Sequence, residues 1–308
     1  MGEVFAGRFE LLEPIADGGM GSVWEVLDRR DGGRYAGKIL RHTDAGSLLR
    51  FMREQATRID HEHVVTPLSW AGEDDRVLFT MPLVSGGSVA SLIGDHGPLP
   101  RAWVVVLLDQ TLAALAAVHA AGIVHRDVKP ANLLLEPTGD GVPHLMLSDF
   151  GIAAPLDQPR LTRATQAIGS PGYMAPEQVL GADPDPRQDV YGVGLVGLEL
   201  LTGVRPPGSR AALSEVPDAD PALVALLLEA SAADPADRPA DAAALRARLT
   251  ALGAAPWARD PEGPFVFDHR SSGSAPTPAD SQARDRLMAL AIALVGLACV
   301  VGAILLVT

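Results

Sequence analysis

Hydrophobic and polar positions alternate over short runs in the first 85 residues of the chain. The runs are "RFELLEPI" (8–15), "GSVWEVLD" (21–28), "RYAGKIL" (34–40) and "RVLFTMPLV" (76–84), and they are separated by turn sequences such as "DGGMG", "RRDGG" and "GEDD". Alternation bounded by Gly and Asp is typical of strands joined by hairpins. The pattern predicts a small antiparallel sheet. One helix interrupts it over "AGSLLRFMREQATRI" (45–59), where apolar residues recur at helical spacing.

From Pro100 onward the pattern becomes helical. The predicted helices are "RAWVVVLLDQTLAALAAVHAAG" (101–122), "RQDVYGVGLVGLELLTG" (187–203), "DPALVALLLEASA" (220–232) and "PADAAALRARLTAL" (239–252). Gly122 and Gly203 close the first two, as glycine commonly does at the end of a helix. The sequence therefore predicts an α+β protein in which a small sheet precedes a larger, mainly helical part.

The composition changes after residue 252. Residues 253–286 are rich in Pro, Gly and Ser, which predicts a flexible linker. The stretch "LMALAIALVGLACVVGAILLV" (287–307) has no charge and as a helix spans about 31 Å, enough for a hydrocarbon core of about 30 Å. A buried core helix is the alternative, but such helices are seldom apolar on every face. We expect one transmembrane helix.

The charges beside this segment predict its orientation. Arg284 and Arg286 precede it and no basic residue follows, so residues 1–286 are expected in the cytoplasm and the C-terminus outside, with the chain a single-pass protein of the cell membrane. Ala298 and Gly302 have a spacing that lets two helices pack closely. Ala and Gly are so frequent in this segment that chance is the better explanation of the spacing, and a homodimer is the alternative.

Charge and cysteine content exclude two classes of function. The net charge of -13 argues against a nucleic-acid-binding face, because a phosphate backbone requires clustered Lys and Arg. The single cysteine, Cys299, excludes an intramolecular disulfide, and no Cys/His cluster has zinc-ligand spacing.

A dense charged cluster follows the first long helix. "HRDVKPANLLL" (125–135) places Asp127, Lys129 and Asn132 within six residues, and Pro130 prevents the helix from continuing. Downstream, Asp149 ends the apolar strand of "LMLSDFGIA" (145–153). Asn132 and Asp149 offer the hard oxygen ligands that Mg²⁺ takes beside phosphates.

A second cluster lies in the predicted sheet. The glycines of "PIADGGMGSVW" (14–24) allow backbone N–H groups to approach a phosphate, although such a loop alone is commonly just a turn. Lys38 sits among apolar residues in a strand and needs an anionic partner if it points inward. Glu54 of the predicted helix is the candidate partner.

Together the Gly-rich loop, Lys38, Glu54, "HRDVKPAN", "DFG" and "GYMAPE", in this order, resemble the eukaryotic-type Ser/Thr protein kinases, and among them the bacterial membrane-anchored branch. The resemblance covers about residues 8–252. It implies the bilobal kinase fold, with an N-lobe over 8–83 and a C-lobe over 84–252. It also implies transfer of the γ-phosphate of ATP, with Mg²⁺ or alternatively Mn²⁺, to Ser or Thr hydroxyls of protein substrates.

The resemblance implies a role for each motif residue. Lys38, positioned by Glu54, contacts the α- and β-phosphates, Asp127 is the catalytic base, and Lys129 neutralises the γ-phosphate. Asn132 and Asp149 hold the metal. The implied ATP site comprises Ile15, Ala16, Asp17, Gly18, Gly19, Met20, Gly21, Ser22, Val23, Ala36, Lys38, Glu54, Pro82, Val84 and Leu134. Ala16 departs from the family by replacing the first loop glycine.

The remaining matches concern regulation and structure. Arg126 is expected to pair with a phosphorylated residue of the activation segment, where Thr162 and Thr165 are the candidate autophosphorylation sites, and phosphothreonine-reading domains are candidate partners. The structural matches are Phe150, Gly151, Ser170, Glu177, Asp189 and Arg238. Glu177 is expected to pair with Arg238, and Asp189 to hold the backbone of the catalytic loop. His119 and His144 match no motif and are interpreted as ordinary histidines.

Two alternatives remain open at this point. A membrane-tethered pseudokinase or scaffold would keep the fold without turnover, but a decayed enzyme usually loses Lys38, Asp127, Asn132 or Asp149, and all are present. A small-molecule kinase of related fold is the other. "GYMAPE" and the threonines that precede it favour a protein substrate.

Overall fold

The computed structural model describes residues 3–18, 21–41, 59–149, 154–155, 172–216, 219–253, 257 and 263–270. The described residues up to Asp268 belong to one compact unit. A second unit begins at His269, and only its first two residues are described. The predicted helix over 45–59, apart from Ile59, and the predicted transmembrane helix over 287–307 lie outside the described residues.

The first part of the unit is a six-stranded antiparallel sheet with the order β1-β2-β3-β4-β6-β5. The four predicted strands are confirmed. β6 ends at Met81 and not at residue 84, because Pro82 has no N–H to donate to a neighbouring strand. The strands are β1 (Val4–Phe5), β2 (Phe9–Gly18), β3 (Gly21–Asp28), β4 (Arg34–Arg41), β5 (Ser69–Glu73) and β6 (Arg76–Met81).

The second part is mainly helical, as predicted. Gly122 and Gly203 follow the two long helices with φ of +76° and +68°, a conformation that glycine adopts without strain. The helices are α1 (Val89–His96), α2 (Arg101–Ala120), α3 (Pro176–Val179), α4 (Pro186–Thr202), α5 (Ser209–Ala212), α6 (Pro221–Ala230) and α7 (Ala242–Ala251). Side chains of Asp185, Asp220 and Asp241 cap α4, α6 and α7.

Four short strands lie between α2 and α3 and position the charged cluster. β8 (Leu133–Leu135) pairs with β9 (Leu145–Leu147), and β7 (Ile123–Val124) pairs with β10 (Ala154–Pro155). A 3₁₀ turn over Pro130–Asn132 leads into β8. The loop "HRDVKPAN" is therefore fixed between β7 and β8, and Asp149 follows the end of β9.

Apolar side chains form two separate clusters. In the sheet, Phe5, Phe9, Val26 and Leu78 are fully buried. The larger cluster surrounds α2 and α4, and 11 of the 20 residues of α2 are buried. Within the described ranges, α2 is the only helix long and apolar enough to cross a membrane, and its burial identifies it as a core helix.

Part of the predicted linker over 253–286 belongs to the first compact unit, which extends to Asp268. Trp257 packs edge-on against Trp103 of α2, with ring centroids 5.3 Å apart. Val266 packs in the main apolar cluster of the helical part and is only 2% exposed. The alternation in "GPFVFD" produces this strand-like segment, but the run is short and the surrounding Pro and Gly conceal it.

Candidate active site

A cleft of about 430 Å³ lies between the sheet and the helical part. Val23 and Ala36 of the sheet and Leu134 of β8, all members of the implied ATP site, line it and are here called the apolar clamp. The lining residues of the sheet are Ile15, Ala16, Val23, Ala36, Lys38 and Met81. Those of the connection between the two parts are Pro82, Leu83, Val84, Gly87 and Ser88. Those of the helical part are Ser91, Ala131, Asn132, Leu134, Ser148 and Asp149. Its size and largely apolar wall suit a flat, ring-containing ligand.

The tip of the β2–β3 hairpin lies beside the cleft. Asp17 pairs with Ser22, and Gly18 with Gly21; none of these four described residues is among the lining residues. Gly21 has a φ of +131°, and a Cβ there would lie 2.1 Å from the backbone oxygen of Ile39. The close approach of β4 therefore requires this glycine independently of any ligand. Gly19 and Met20 lie outside the described residues.

The chain between the sheet and α1 offers an unused donor and acceptor to the cleft. Among the described residues, neither the N–H of Val84 nor the C=O of Pro82 has a hydrogen-bond partner, and both residues line the cleft. A backbone acceptor and a backbone donor two residues apart can bind the edge of a heteroaromatic ring. The absence of an N–H at Pro82 does not affect this pair.

Lys38 enters the cleft from β4, where its neighbours across the sheet are Val23 and Phe79. Its side chain is 9% exposed, and its ammonium group forms an ion pair with the carboxylate of Asp149. Asp149 has a φ of +74°, a strained backbone conformation for a residue with a Cβ. Asp149 adopts this conformation while it pairs with Lys38. The predicted partner, Glu54, lies outside the described residues.

Asp127 is the centre of the charged cluster. Its Oδ2 accepts hydrogen bonds from Lys129 Nζ at 2.7 Å and Asn132 Nδ2 at 3.0 Å. Asn132 Nδ2 also donates to the backbone oxygen of Asp127 at 2.8 Å. Both amide hydrogens of Asn132 are thus used, so its Oδ1 is the group left to act as an acceptor in the cleft.

Asp189 of α4 holds the backbone that precedes Asp127. Its carboxylate accepts from the N–H of His125 at 2.9 Å and the N–H of Arg126 at 2.7 Å, and His119 Nε2 lies 2.8 Å away. Burial alone would raise the pKa of this carboxyl, but the hydrogen bond to His119 and the other contacts outweigh burial and keep the pKa below its ordinary value.

Arg126 adopts a strained backbone conformation with a φ of +69°. Asp189 binds its N–H, and Gln178 Nε2 donates to its carbonyl oxygen at 2.8 Å. Both sides of the residue are therefore fixed by buried groups. The proposed regulatory partners of its side chain, Thr162 and Thr165, lie outside the described residues.

Comparison with known proteins identifies the family. The protein kinase domain matches residues 9–237, most of the chain. The chain belongs to the protein kinase family. Among its relatives, the Serine/threonine-protein kinase PknA of Mycobacterium tuberculosis is 38% identical over 224 residues, which cover 70% of this kinase chain and 51% of PknA. The Serine/threonine-protein kinase pkn3 of Myxococcus xanthus is 35% identical over 279 residues, 82% of this chain and 51% of pkn3.

A solved structure shows the same fold. The kinase domain of Mycobacterium tuberculosis PknI, crystallised as a double mutant, superposes with a TM-score of 0.65 and 26% identity, covering 81% of this kinase chain and 97% of that one. The kinase fold is therefore confirmed, and so is the resemblance to bacterial Ser/Thr kinases. This chain spans about half the length of PknA and pkn3.

A buried ion pair braces the kinase domain below the cluster. Arg238 binds Glu177 through two hydrogen bonds of 2.7 and 2.9 Å, and its side chain is completely buried. Its remaining donors reach the carbonyl oxygens of Arg187, Ala232 and Ala233. The guanidinium group of Arg238 thus donates five hydrogen bonds. The pairing of Glu177 with Arg238 that the family resemblance implies is a direct contact in the structure.

Several site residues were missed in the sequence. Met81, Leu83, Gly87, Ser88, Ser91, Ala131 and Ser148 also line the cleft. Most of them lie close in the sequence to Pro82, Asn132 or Asp149, and this closeness is the signal from which they could have been predicted. His119, interpreted as an ordinary helix or loop histidine, lies on α2, and its Nε2 is 2.8 Å from the carboxylate of Asp189, 70 residues away along the chain.

The described residues fit a hard divalent cation beside a phosphate. Asn132 Oδ1 is an available amide oxygen, and the Asp149 carboxylate, 40% exposed, reaches into the same cleft. Carboxylate and amide oxygens are ligands that Mg²⁺ accepts, usually together with water and substrate phosphates. The other predicted positions, Phe150, Gly151 and Ser170, lie outside the described residues.

Proposed function

We propose that this chain is an ATP-dependent protein kinase that phosphorylates Ser or Thr hydroxyls. One observation carries the proposal. The Asp127 carboxylate is bound to Lys129 and to Asn132, and Asn132 lines the same cleft as the Lys38–Asp149 ion pair. Asn132 thus connects an acceptor for a hydroxyl proton, beside the cleft, with the Lys38–Asp149 pair inside it, and phosphoryl transfer requires both kinds of group close together.

Each described residue has one task in this reaction. The clamp of Val23, Ala36 and Leu134 encloses the adenine, and the backbone at Pro82 and Val84 binds its edge. When ATP binds, the ammonium group of Lys38 moves away from Asp149 and contacts the α- and β-phosphates. Asn132 and Asp149 would hold a divalent cation such as Mg²⁺, which would supply positive charge beside the phosphate oxygens.

The transfer step follows from the position of Asp127. The substrate hydroxyl oxygen bonds to the γ-phosphorus while the bond from that phosphorus to the β-phosphate oxygen breaks, and ADP leaves. Asp127 orients the hydroxyl and accepts its proton as the transfer completes. Lys129, 2.7 Å from this carboxylate, lies where it can neutralise the transferred group. Positioning and charge compensation supply most of the rate.

The choice of hydroxyl rests on similarity. "DVKPAN" places a lysine two residues after Asp127, and PknA and pkn3 are both named serine/threonine-protein kinases. Phosphoamino-acid analysis of the full chain and a protein substrate, incubated with labelled ATP and Mg²⁺, tests this. We expect phosphoserine and phosphothreonine; label on tyrosine alone, or only on a small molecule, contradicts it.

Activation by autophosphorylation is a further part of the proposal. Thr162 and Thr165 follow the "DFG" motif in the segment before Glu177, and Arg126 precedes the catalytic Asp127. A phosphate on either threonine is expected to bind Arg126 and thereby fix the position of the segment. We expect a Thr162→Ala/Thr165→Ala protein to lose about tenfold or more in initial rate, measured on an external substrate after preincubation with ATP. Thr250→Ala is the control, and an undiminished rate in the double variant contradicts the proposal.

Anchoring at the cytoplasmic face of the membrane is proposed from the sequence of residues 287–307, which are uncharged and preceded by Arg284 and Arg286. Protein substrates and phosphothreonine-reading partners would then meet the kinase at the bilayer, and a homodimer would favour phosphorylation between copies. Alkaline extraction of membranes tests the anchor. The full chain should stay in the pellet, and its recovery in the supernatant contradicts a spanning helix.

A further inference from the structure

The segment Gly263–Asp268, here called the strap, is built into the domain. Val266 pairs with Gly139, a residue of the β8–β9 connection, through two backbone hydrogen bonds: Gly139 N–H to Val266 O at 3.0 Å and Val266 N–H to Gly139 O at 2.9 Å. The Val266 side chain is 2% exposed and belongs to the main apolar cluster. Phe265 and Phe267 point away from that cluster and are 40% and 56% exposed.

Val266 lies against Gly86, which belongs to the connection between β6 and α1. A Cβ at Gly86 would lie 2.7 Å from Val266 Cγ1 and 2.4 Å from the backbone oxygen of Leu135. Only a glycine therefore allows this three-way approach. The strap thus presses the backbone at Gly86 against β8 at a position two residues after Val84.

The same contact reaches the floor of the cleft. Gly86 N–H donates to Leu135 O at 2.8 Å, and Leu135 N–H donates to Gly87 O at 2.9 Å. Leu134, between these bonds and the cleft, is one wall of the apolar clamp, and Gly87 itself lines the cleft. A side chain that fixes Gly86 therefore fixes the distance between the Val84 backbone and Leu134.

We propose that the strap positions the nucleotide cleft, and that Val266 is the positioning residue through which it acts. This inference rests on the proposed kinase function and adds to it a residue that no kinase motif contains. Since Val266 touches neither the nucleotide nor the substrate, its removal loosens the cleft wall without altering Asp127 or Lys38. The effect is expected in nucleotide binding and only weakly in turnover.

The test uses the full chain and a fluorescent methylanthraniloyl-ADP with Mg²⁺. We expect Val266→Ala to raise the Kd of this probe and the KM for ATP about three- to tenfold, and kcat to change less than about twofold. Val266→Ile, which keeps a branched apolar side chain, should have the wild-type Kd for the probe and the wild-type KM for ATP. Val105→Ala is the matched control, because it removes the same methyl groups from the same cluster on α2, where Val105 lines no part of the cleft.

The outcomes separate the strap from the kinase proposal. If Val266→Ala and Val105→Ala lower the melting temperature equally and both leave the Kd unchanged, Val266 is merely structural and the inference is overturned. If Val266→Ala does not fold, Val266→Thr, which weakens the apolar contact by placing a hydroxyl in it, is measured instead, and an unchanged Kd has the same meaning. A wild type that binds no probe overturns the strap and the kinase function together. A wild type that binds and phosphorylates, beside an unaffected Val266→Ala, overturns the strap alone.

Discussion

An Asp127→Asn protein is expected to lose about three orders of magnitude in kcat, within the range typical for removal of a general base. The amide keeps the size of the carboxylate but cannot accept the hydroxyl proton. Nucleotide affinity should change little, because Asp127 is not among the residues that line the cleft. Steady-state ADP release with a protein substrate gives kcat, and equilibrium titration with methylanthraniloyl-ADP gives the Kd.

Asp109→Asn is the matched control for this prediction. Asp109 lies on α2 and pairs with Arg246 at the surface, so the same chemical change there should leave kcat unaffected. An Asp127→Asn protein with the kcat of the wild type would remove Asp127 from the mechanism. A large loss of nucleotide affinity would instead assign it a role in binding.

An Asp189→Ala protein is expected to lose about 3–5 kcal/mol of the free energy of unfolding. The substitution leaves the buried N–H groups of His125 and Arg126, and the ring of His119, without their acceptor. The strained backbone at Arg126 also loses one of the contacts that fix it, so activity should fall with stability. Urea denaturation measures the change in stability.

Asp220→Ala provides the comparison for that measurement. Asp220 also accepts two backbone N–H groups, at the start of α6, but it lies near the surface, so its loss should cost about 1 kcal/mol. Equal losses in the two variants would contradict the role assigned to Asp189.

The same carboxyl predicts a pH dependence. Because the pKa of Asp189 in the folded protein lies below its ordinary value of 3.8, the ionised group stabilises the fold fully above that value. This contribution is lost as the pH falls through the lower, folded-state pKa. Below pH 3.8 the free energy of unfolding should therefore fall more steeply for the wild type than for Asp189→Asn. If the free energy of unfolding falls with pH in parallel for the two proteins, the stabilising role of the ionised Asp189 carboxylate is contradicted.

Much of the fold could be predicted because its signals are local. Gly122 and Gly203 mark helix ends, and alternation marks the strands. The end of β6 was misplaced although its signal, Pro82, was present. The chemistry-bearing residues were also recognisable, since Asp127, Lys129 and Asn132 lie within six positions and hold one another directly.

Contacts between distant residues were not predictable in this way. His119 binds Asp189 across 70 residues, and nothing in the sequence around His119 indicates that pairing. Val266 meets Gly86 and Gly139 from a segment whose Pro and Gly content is typical of linkers. In both cases a side chain acquires its role only when the chain has folded, because burial and the partner come from other elements.

Transfer of the γ-phosphate to protein is measured by incubating the purified full chain with γ-labelled ATP and Mg²⁺, beside Asp127→Asn, and then quantifying and mapping the label on the protein. We expect label on serine or threonine in the wild type and almost none in the variant. A wild type that binds ATP but transfers no label to any protein would exclude the proposed kinase activity and would favour a membrane-tethered scaffold with the kinase fold.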